Sequence, residues 1–397
     1  MTAPDFYPDR QNPLFTRLFQ SLSYPLAWWK YQMRLRVSIE DVAKLKALRG
    51  DRVILMPNHP TFDDPIVLFL LSTRAGELFH FLSAYANFKG WQTKLMQYLG
   101  TYSIKRGVGD RTSIAYTLKL LETQARCRLV IFPEGGCSFQ NDTVMTFRPG
   151  AVQLAMQAMA RIIKKTKTVP NFYLLPVSVK YYYTRPMNWV IEQSLIGLET
   201  ALKITPPDLN FYPRLRGIGE AVSRQFEQEY FGHELEGSLN DRIAQIRAQM
   251  LTICEQEIGL EPMPSLPLRE RVYRVQAIVE EQENPSPEHR RIYRGTVRLL
   301  NFDSLYDGYV AAVPTPERFL DTLTRLEREV FNIDRPKPKG DRFAYVKVGD
   351  PINLADYLAD YQRDRTATID HLTATMQGIV QENLDQISAQ LNPSVEV

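Results

Sequence analysis

Between residues 52 and 179, short apolar runs alternate with longer segments of helical periodicity, and this alternation constrains the fold more than any other property of the chain. The runs at 52–56, 101–104, 129–132 and 173–179 have the length and near-continuous apolar character of strands buried on both faces. Between them, 64–74, 111–126 and 149–165 read as helices. Strands alternating with helices predict an α/β domain, with a mixed, largely parallel sheet flanked by helices. In such sheets chemistry gathers in the loops where strands end.

The flanking segments differ. Residues 13–50 read as helical, since Leu14, Leu18, Leu22, Leu26 and Trp29 recur at helical spacing, with Pro25 expected to kink or break the helix. Phe15, Phe19, Trp28, Trp29, Tyr31 and Met33 interleave there with Arg17, Lys30, Arg34 and Arg36. That mixture suits a helix lying in a membrane interface, and equally a helix packed on its own domain. Beyond about residue 190 the strand pattern stops. Leu235, Leu239, Ile243, Ile246, Met250 and Ile253 form one amphipathic stripe, and further stripes occupy 266–283 and 316–331. The Pro- and Lys-containing segment 335–340 interrupts structure, 342–348 reads as a strand, and 354–391 as a closing helix or helix pair. The expected organisation is an N-terminal amphipathic helical region (1–50), an α/β core (51–190), a mostly helical insertion (191–338), and a closing strand with C-terminal helices (339–397).

Charge adds an asymmetry that the net value of +3 conceals. Residues 1–190 carry 25 Lys/Arg against 12 Asp/Glu, a formal +13, whereas 191–397 carry 23 against 33, a formal −10. A basic half attracts phosphorylated substrates, anionic headgroups or nucleic acid, but no nucleic-acid recognition motif accompanies it. Three cysteines, Cys127, Cys137 and Cys254, are too few for a disulfide framework in 397 residues and lack metal-ligand spacing. A reducing compartment and no bound metal are expected. The longest uncharged stretches have 12 residues, as at 18–29 and 168–179, well short of the ~18 of a spanning helix. With Asp5 and Asp9 at the N-terminus and no basic segment before an apolar run, no secretory signal is expected either.

Four segments carry groups suited to chemistry. The densest is Asn58-His59-Pro60-Thr61-Phe62-Asp63-Asp64, directly after a strand. A carboxylate five residues beyond His59 can reach back to one ring nitrogen if a helix starts near Pro60, leaving the other nitrogen to take a proton from a hydroxyl. Asp63 reads as a first-turn or capping carboxylate. Next come Gly100 to Gly107, where a strand delivers Lys105 and Arg106 into a loop, and Phe132-Pro133-Glu134-Gly135-Gly136-Cys137-Ser138, whose glycines permit close backbone approach. The last is Phe147-Arg148-Pro149-Gly150-Ala151, a cation beside a helix start where anions are favoured.

In this order, these segments resemble the glycerophospholipid acyltransferase family, of the lysophosphatidate acyltransferase type. Asn58, His59 and Asp64 meet its Asn-His-x4-Asp motif, and Gly100, Ile104 and Arg106 its Gly-x-x-x-Ile-x-Arg pattern. Phe132, Pro133, Glu134, Gly135 and Ser138 meet Phe-Pro-Glu-Gly-x-x-Ser, Arg148, Gly150 and Ala151 the Lys/Arg-x-Gly-Ala segment, and Leu175, Pro176 and Val177 the strand bearing Pro-Val. Val348-Gly349-Asp350-Pro351-Ile352 is similar to the family's closing Gly-Glu-Pro-Ile. The resemblance spans 13–190 and 341–391. One departure stands out: the family's Thr-Arg after Phe-Pro-Glu-Gly is here Gly136-Cys137.

The resemblance implies transfer of a fatty acyl group from acyl-carrier protein or acyl-coenzyme A to a hydroxyl of a lysolipid, 1-acylglycerol-3-phosphate above all, in phospholipid biosynthesis. His59 would be the general base and Asp64 its orienting partner. Asn58, Lys105, Arg106, Glu134, Gly135, Arg148 and Gly150 would hold the substrate. No cofactor is implied beyond the thioester co-substrate. Direct attack by the hydroxyl needs no acyl-enzyme, and Cys137 is not expected as a nucleophile, because a thiolate needs a base of its own and His59 already serves the hydroxyl. An apolar groove for the acyl chain is expected from 66–71 and 79–82. Peripheral attachment to the cytoplasmic face of an anionic membrane is expected, with no nucleic acid. Gly136-Cys137 keeps other acceptors open, namely an alcohol, amine or glycolipid. A catalytically silent lipid-binding scaffold is the alternative of a different class.

Overall fold

The computed structural model describes residues 4–206, 209–282, 284–303 and 305–391. The chain opens with α1 (Pro13–Tyr31), β1 (Met33–Val37) and α2 (Ile39–Ala47). Strand–helix alternation then runs β2 (Arg52–Pro57), α3 (Asp64–Ala75), β3 (His80–Ala84), α4 (Gln92–Tyr98), β4 (Thr101–Ile104), α5 (Arg111–Thr123), β5 (Arg128–Val130), α6 (Gly150–Thr166) and β6 (Phe172–Tyr183). Helices follow: α7 (Asn188–Leu202), α8 (Phe211–Tyr230), α9 (Leu239–Glu257), α10 (Leu268–Glu280), α11 (Pro287–Phe302), α12 (Tyr309–Ala312) and α13 (Pro316–Val330). The chain closes with β7 (Arg342–Val348), β8 (Ile352–Asn353), α14 (Leu358–Arg363) and α15 (Arg365–Leu391).

Two compact units result. The sheet unit holds residues 4–104, Asp110–Tyr182 and 341–391; the helical unit holds Lys105–Gly109 and the described residues of Tyr183–Gly340. In the sheet unit the strand order is β1-β7-β6-β2-β5-β3-β4, with β8 added beside β6. The β2 ladders to β5 and β6 and the β3 ladders to β4 and β5 are parallel, as is β1 to β7, while β8 runs antiparallel to β6. The fold is therefore α/β with a mixed, largely parallel sheet.

Pleating divides the core. Val53 and Leu55 of β2 pack with α2 and α3 on one face, and Ile54 and Met56 with α5, α6 and α15 on the other. Every one of these four side chains has zero exposure, so the central strand has no polar face. Most side chains expected to line an acyl groove are in the core instead: Leu68, Leu70 and Leu71 are fully buried, and Phe79 and Phe81 join the same core, while Ile66 and Leu82 are only partly buried. The apolar surface of the buried ones is consumed by packing α3 and β3 onto the sheet.

α1 faces the opposite way from a usual surface helix. Its buried positions are Thr16, Gln20, Ser23 and Ala27, while Leu14, Leu18, Leu22 and Trp29 point outward with exposures of 84%, 62%, 51% and 76%. Hydrogen bonds, not leucines, dock it: the Gln20 amide donates to Ser72 Oγ at 3.0 Å and to the Glu77 carbonyl at 2.8 Å. The helix continues through Pro25 without breaking.

The helical unit packs α7 to α13 around its own core, including Ile191, Leu195, Ile218, Met250, Leu299 and Leu323. Within it the Arg106 guanidinium lies over the Tyr273 ring, 4.1 Å from its centre. Gly107 has φ +78° and meets the Tyr273 backbone where a side chain would stand, so no larger residue fits there. Among the described residues no helix is long and apolar enough to cross a membrane.

Candidate active site

The site grows from a mismatch in strand length. β6 has 12 residues, but β2 pairs with it only as far as Pro57 opposite Val177. Beyond that point two asparagine side chains act as substitute strand partners. The Asn58 amide donates to the Val179 carbonyl at 3.0 Å and accepts from its N–H at 2.7 Å. Two residues on, Asn141 does the same for Tyr181, with both bonds at 2.7 Å. Buried backbone groups that would lack partners are thereby satisfied. Asn58 is 1% exposed with both ends of its amide engaged, so it is a positioning residue and not one that meets substrate.

His59 follows directly. Its Nδ1 lies 2.6 Å from Asp64 Oδ2. The link is not the helical turn expected from the spacing, because α3 begins only at Asp64. A tight loop does the work: Thr61 donates its N–H to Asp64 Oδ2 at 2.9 Å and its hydroxyl to Oδ1 at 3.0 Å. The Tyr181 phenol donates to Oδ1 at 2.6 Å. Asp64 has no exposed surface, and these hydrogen bonds with its place at a helix N-terminus compensate the burial of its charge. Burial, with the Asp64 charge added, pushes the Tyr181 pKa well above the usual phenol value, so Tyr181 remains a donor. Asp63 sits at the N-cap position of α3 but makes no side-chain cap; it pairs with Arg342, whose guanidinium covers the Tyr181 ring.

The loop after β5 closes over His59 from the other side. Glu134, 2% exposed, accepts the His59 N–H at 2.8 Å, and the Ser138 N–H donates to the His59 carbonyl at 2.8 Å. The Phe132 ring stacks on the imidazole at 4.3 Å. Between these anchors, Cys137 Sγ lies 3.4 Å from His59 Nε2, the nitrogen turned away from Asp64. Gly135 adopts φ +72°, and a Cβ there would stand 2.9 Å from Arg148 Nε, so the glycine lets the guanidinium close over the loop. The Arg148 N–H donates to the Pro133 carbonyl at 2.9 Å, and Gly150 opens α6 immediately afterwards.

Of the residues expected from sequence, the sheet unit thus brings together Asn58, His59, Asp64, Glu134, Gly135, Arg148 and Gly150. Glu134 is engaged with the His59 backbone and held away from solvent, so it too positions the base. Lys105 and Arg106 belong to the helical unit. Thr61, Cys137, Asn141, Tyr181 and Arg342 complete the constellation without having been singled out as site residues. A period of two from Val177 through Val179 to Tyr181 was the available signal for the tyrosine.

The electrostatics suit proton transfer. Burial opposes protonation of the imidazole, but the electrostatic influence of the neighbouring Cys137 sulfur and the hydrogen bonds to Asp64 and Cys137 outweigh it and hold the His59 pKa well above its usual value. Only 14% of the His59 side chain is exposed. A ring oriented through Nδ1, with Nε2 presented to the loop, can accept a proton from a hydroxyl or thiol and return it to a leaving group. Among the described residues no group of three or more His, Cys, Asp or Glu side chains is placed to hold a metal ion.

Comparison with curated proteins finds no match. Residues 34–180 match the family model described as Acyltransferase, a segment that runs from within β1 to within β6 and includes His59, Asp64 and the Glu134–Ser138 loop. That similarity covers the part of the chain that carries the His59–Asp64 pair, and it is to an acyltransferase domain.

Proposed function

We propose that this domain moves a fatty acyl group from acyl-carrier protein or acyl-coenzyme A to the hydroxyl of a lysophospholipid, with 1-acylglycerol-3-phosphate as the leading acceptor, in phospholipid biosynthesis. The observation that carries the reading is the His59–Asp64 pair at 2.6 Å, with Nε2 on the side facing the loop. His59 takes the acceptor proton, the oxygen attacks the thioester carbonyl, and the departing thiolate receives the proton from His59. Asp64 fixes the ring's tautomer and stabilises its charged form. Arg148, closing over Gly135, supplies a cation for the acceptor's phosphate. No bound cofactor enters the reaction. Gly136-Cys137 supports a second reading, an alcohol, amine or glycolipid acceptor.

The outward apolar face of α1 supports peripheral attachment to an anionic membrane on its cytoplasmic face. Leu14, Leu18, Leu22 and Trp29 form one exposed stripe, Lys30 and Arg34 lie at its end, and a groove lined by Tyr24, Arg36, Thr73 and Arg74 adds two guanidinium-bearing side chains. The acceptor test is a panel of 1-acylglycerol-3-phosphate, other lysophospholipids, long-chain alcohols, amines and glycolipids, each with palmitoyl-coenzyme A and palmitoyl-acyl-carrier protein. Mass spectrometry of the lipid products should show a new acyl ester on 1-acylglycerol-3-phosphate. Acylation of another acceptor alone moves the protein to the second reading, and no acyl product from any pair overturns both.

A further inference from the structure

We infer that Tyr181 tempers the base: by holding Oδ1 of Asp64 it draws carboxylate charge away from His59 and keeps the imidazole able to give up its proton. Tyr181 is then a positioning residue that acts on the reaction through Asp64. Its link to catalysis rests on the acyl-transfer reading; its hold on the His59–Asp64 pair does not.

The two oxygens of Asp64 have separate partners. Oδ2 faces His59 Nδ1 at 2.6 Å and the Thr61 N–H at 2.9 Å. Oδ1 accepts from the Tyr181 phenol at 2.6 Å and from the Thr61 hydroxyl at 3.0 Å. A carboxylate shares its charge between its oxygens, so a donor on Oδ1 weakens what Oδ2 offers the imidazolium. That counterweight matters here. His59 is held well above its usual value, and an imidazole that is too basic stays protonated and takes no proton from an acceptor.

Three segments hold the phenol in place. The Asn141 amide engages both backbone groups of Tyr181 at 2.7 Å, the Arg342 guanidinium lies 4.3 Å from the ring centre, and Asp63 in turn holds Arg342. Burial, with the Asp64 charge added, keeps the phenol protonated, while the Arg342 charge acts the other way and makes it a stronger donor. The titratable and charged groups around the pair are Glu134 and Cys137 from the loop after β5, Arg148 before α6, Asp63 before α3, Tyr181 of β6 and Arg342 of β7. Of these, Tyr181 reaches the Asp64 carboxylate.

The same triplet recurs elsewhere in the sheet unit. Tyr116 donates to Asp9 Oδ1 at 2.7 Å, and His80 Nδ1 lies 2.5 Å from Asp9 Oδ2. There the Gln124 amide oxygen closes His80 Nε2 at 3.0 Å, so that triplet serves structure. His59 Nε2 has no amide partner among the described residues, and 14% of its side chain reaches solvent.

The test labels histidine with nitrogen-15 and follows the His59 ring by NMR through a pH titration, with no substrate present. Signals are assigned by their loss in His59→Ala. Tyr181→Phe removes the hydroxyl alone and should raise the His59 midpoint by about 0.5–1 pH unit. Replacing Tyr181 by 3-fluorotyrosine, a stronger donor of nearly the same shape, should lower it, and the His80 signals should stay in place in both. With palmitoyl-coenzyme A and 1-acylglycerol-3-phosphate, Tyr181→Phe should lower kcat at neutral pH about tenfold and leave both KM values within about twofold. Its acid limb should move to higher pH, opposite to Asp64→Asn. Thermal unfolding checks each protein, and if Tyr181→Phe does not fold, the fluorinated protein carries the test. A midpoint that stays or moves the other way overturns the inference and leaves the acyl-transfer reading standing, as does a shifted midpoint with kcat and acid limb unchanged. Midpoints shifted as expected in a protein that acylates nothing overturn the acyl-transfer reading, while the hold of Tyr181 on His59 stands.

Discussion

The two units handle buried polarity in opposite ways. In the helical unit, buried carboxylates are met by guanidinium groups in local ion pairs. Arg214 grips Glu199 with two bonds of 2.8 Å, Arg271 grips Glu255 at 2.9 and 2.6 Å, and Arg242 meets Glu227. Each is satisfied locally, Arg214 with a further bond of 2.6 Å to Glu192 and Glu227 with further donors in Ser223 and the Leu235 N–H. In the sheet unit, buried Asn58, Asp64, Glu134, Ser138 and Asn141 converge, directly or through β6, on the surroundings of one half-buried imidazole. Local pairs hold packing together; convergence on a titratable group prepares that group for chemistry.

The contrast can be broken experimentally. Asp64→Asn should have the largest effect, lowering the rate of acyl transfer by about 10²–10⁴-fold while the protein still folds, as judged by thermal unfolding. Its pH profile sharpens the point. A base must be neutral to act, and His59 is held above its usual value, so wild-type rate should fall as pH drops through a value above 6.5. Removing the Asp64 charge deletes a raising influence, so the acid limb should move to lower pH. An unmoved limb would mean that Asp64 only supports packing.

In the helical unit the order of effects should reverse, with stability lost and the pH profile untouched. Glu199→Gln alone strands part of a buried guanidinium and should cost about 3 kcal/mol in urea unfolding, whereas Glu199→Leu with Arg214→Met should recover most of that loss. A double variant as unstable as the single one would show that the pair is not a local unit. Asn58→Ala lies between the two cases. It removes both substitute bonds to β6 and should lower stability by about 1–3 kcal/mol in the same assay, while the acid limb of the pH profile stays in place. The smallest effect on folding is expected for Leu18→Ser and Trp29→Ser, within about 0.5 kcal/mol. Each should weaken sedimentation with anionic vesicles about tenfold, and unchanged sedimentation would count against α1 as the membrane face.

How much was legible in advance follows the same division. The runs at 52–56 and 101–104 are strands, because near-continuous burial leaves a plain signature, and 342–348 is a strand whose burial alternates along its second half. β1 and β3 were not anticipated. β1 alternates Met33-Arg34-Leu35-Arg36-Val37 at the sheet's edge, where its arginines blend into the basic helical stripe beside it. The strand at 173–179 runs on to Tyr183, because Asn58 and Asn141 extend pairing with side chains that no strand pattern reveals. His59, Asp64 and Glu134 stood out through local spacing. Tyr181, Asn141 and Arg342 did not, since the fold brings Tyr181 to Asp64 across 117 residues and Arg342 to Asp63 across 279, while Asn141 reaches the site only by pairing with β6.

The most direct test of the His59-centred chemistry is acceptor-dependent release of free thiol from palmitoyl-coenzyme A and palmitoyl-acyl-carrier protein, comparing wild type with His59→Ala. Thermal unfolding checks that both proteins are native. A fall of about 10³-fold or more in the variant, with unfolding unchanged, is predicted. Release that persists within about tenfold of wild type would contradict it and place the chemistry elsewhere in the molecule.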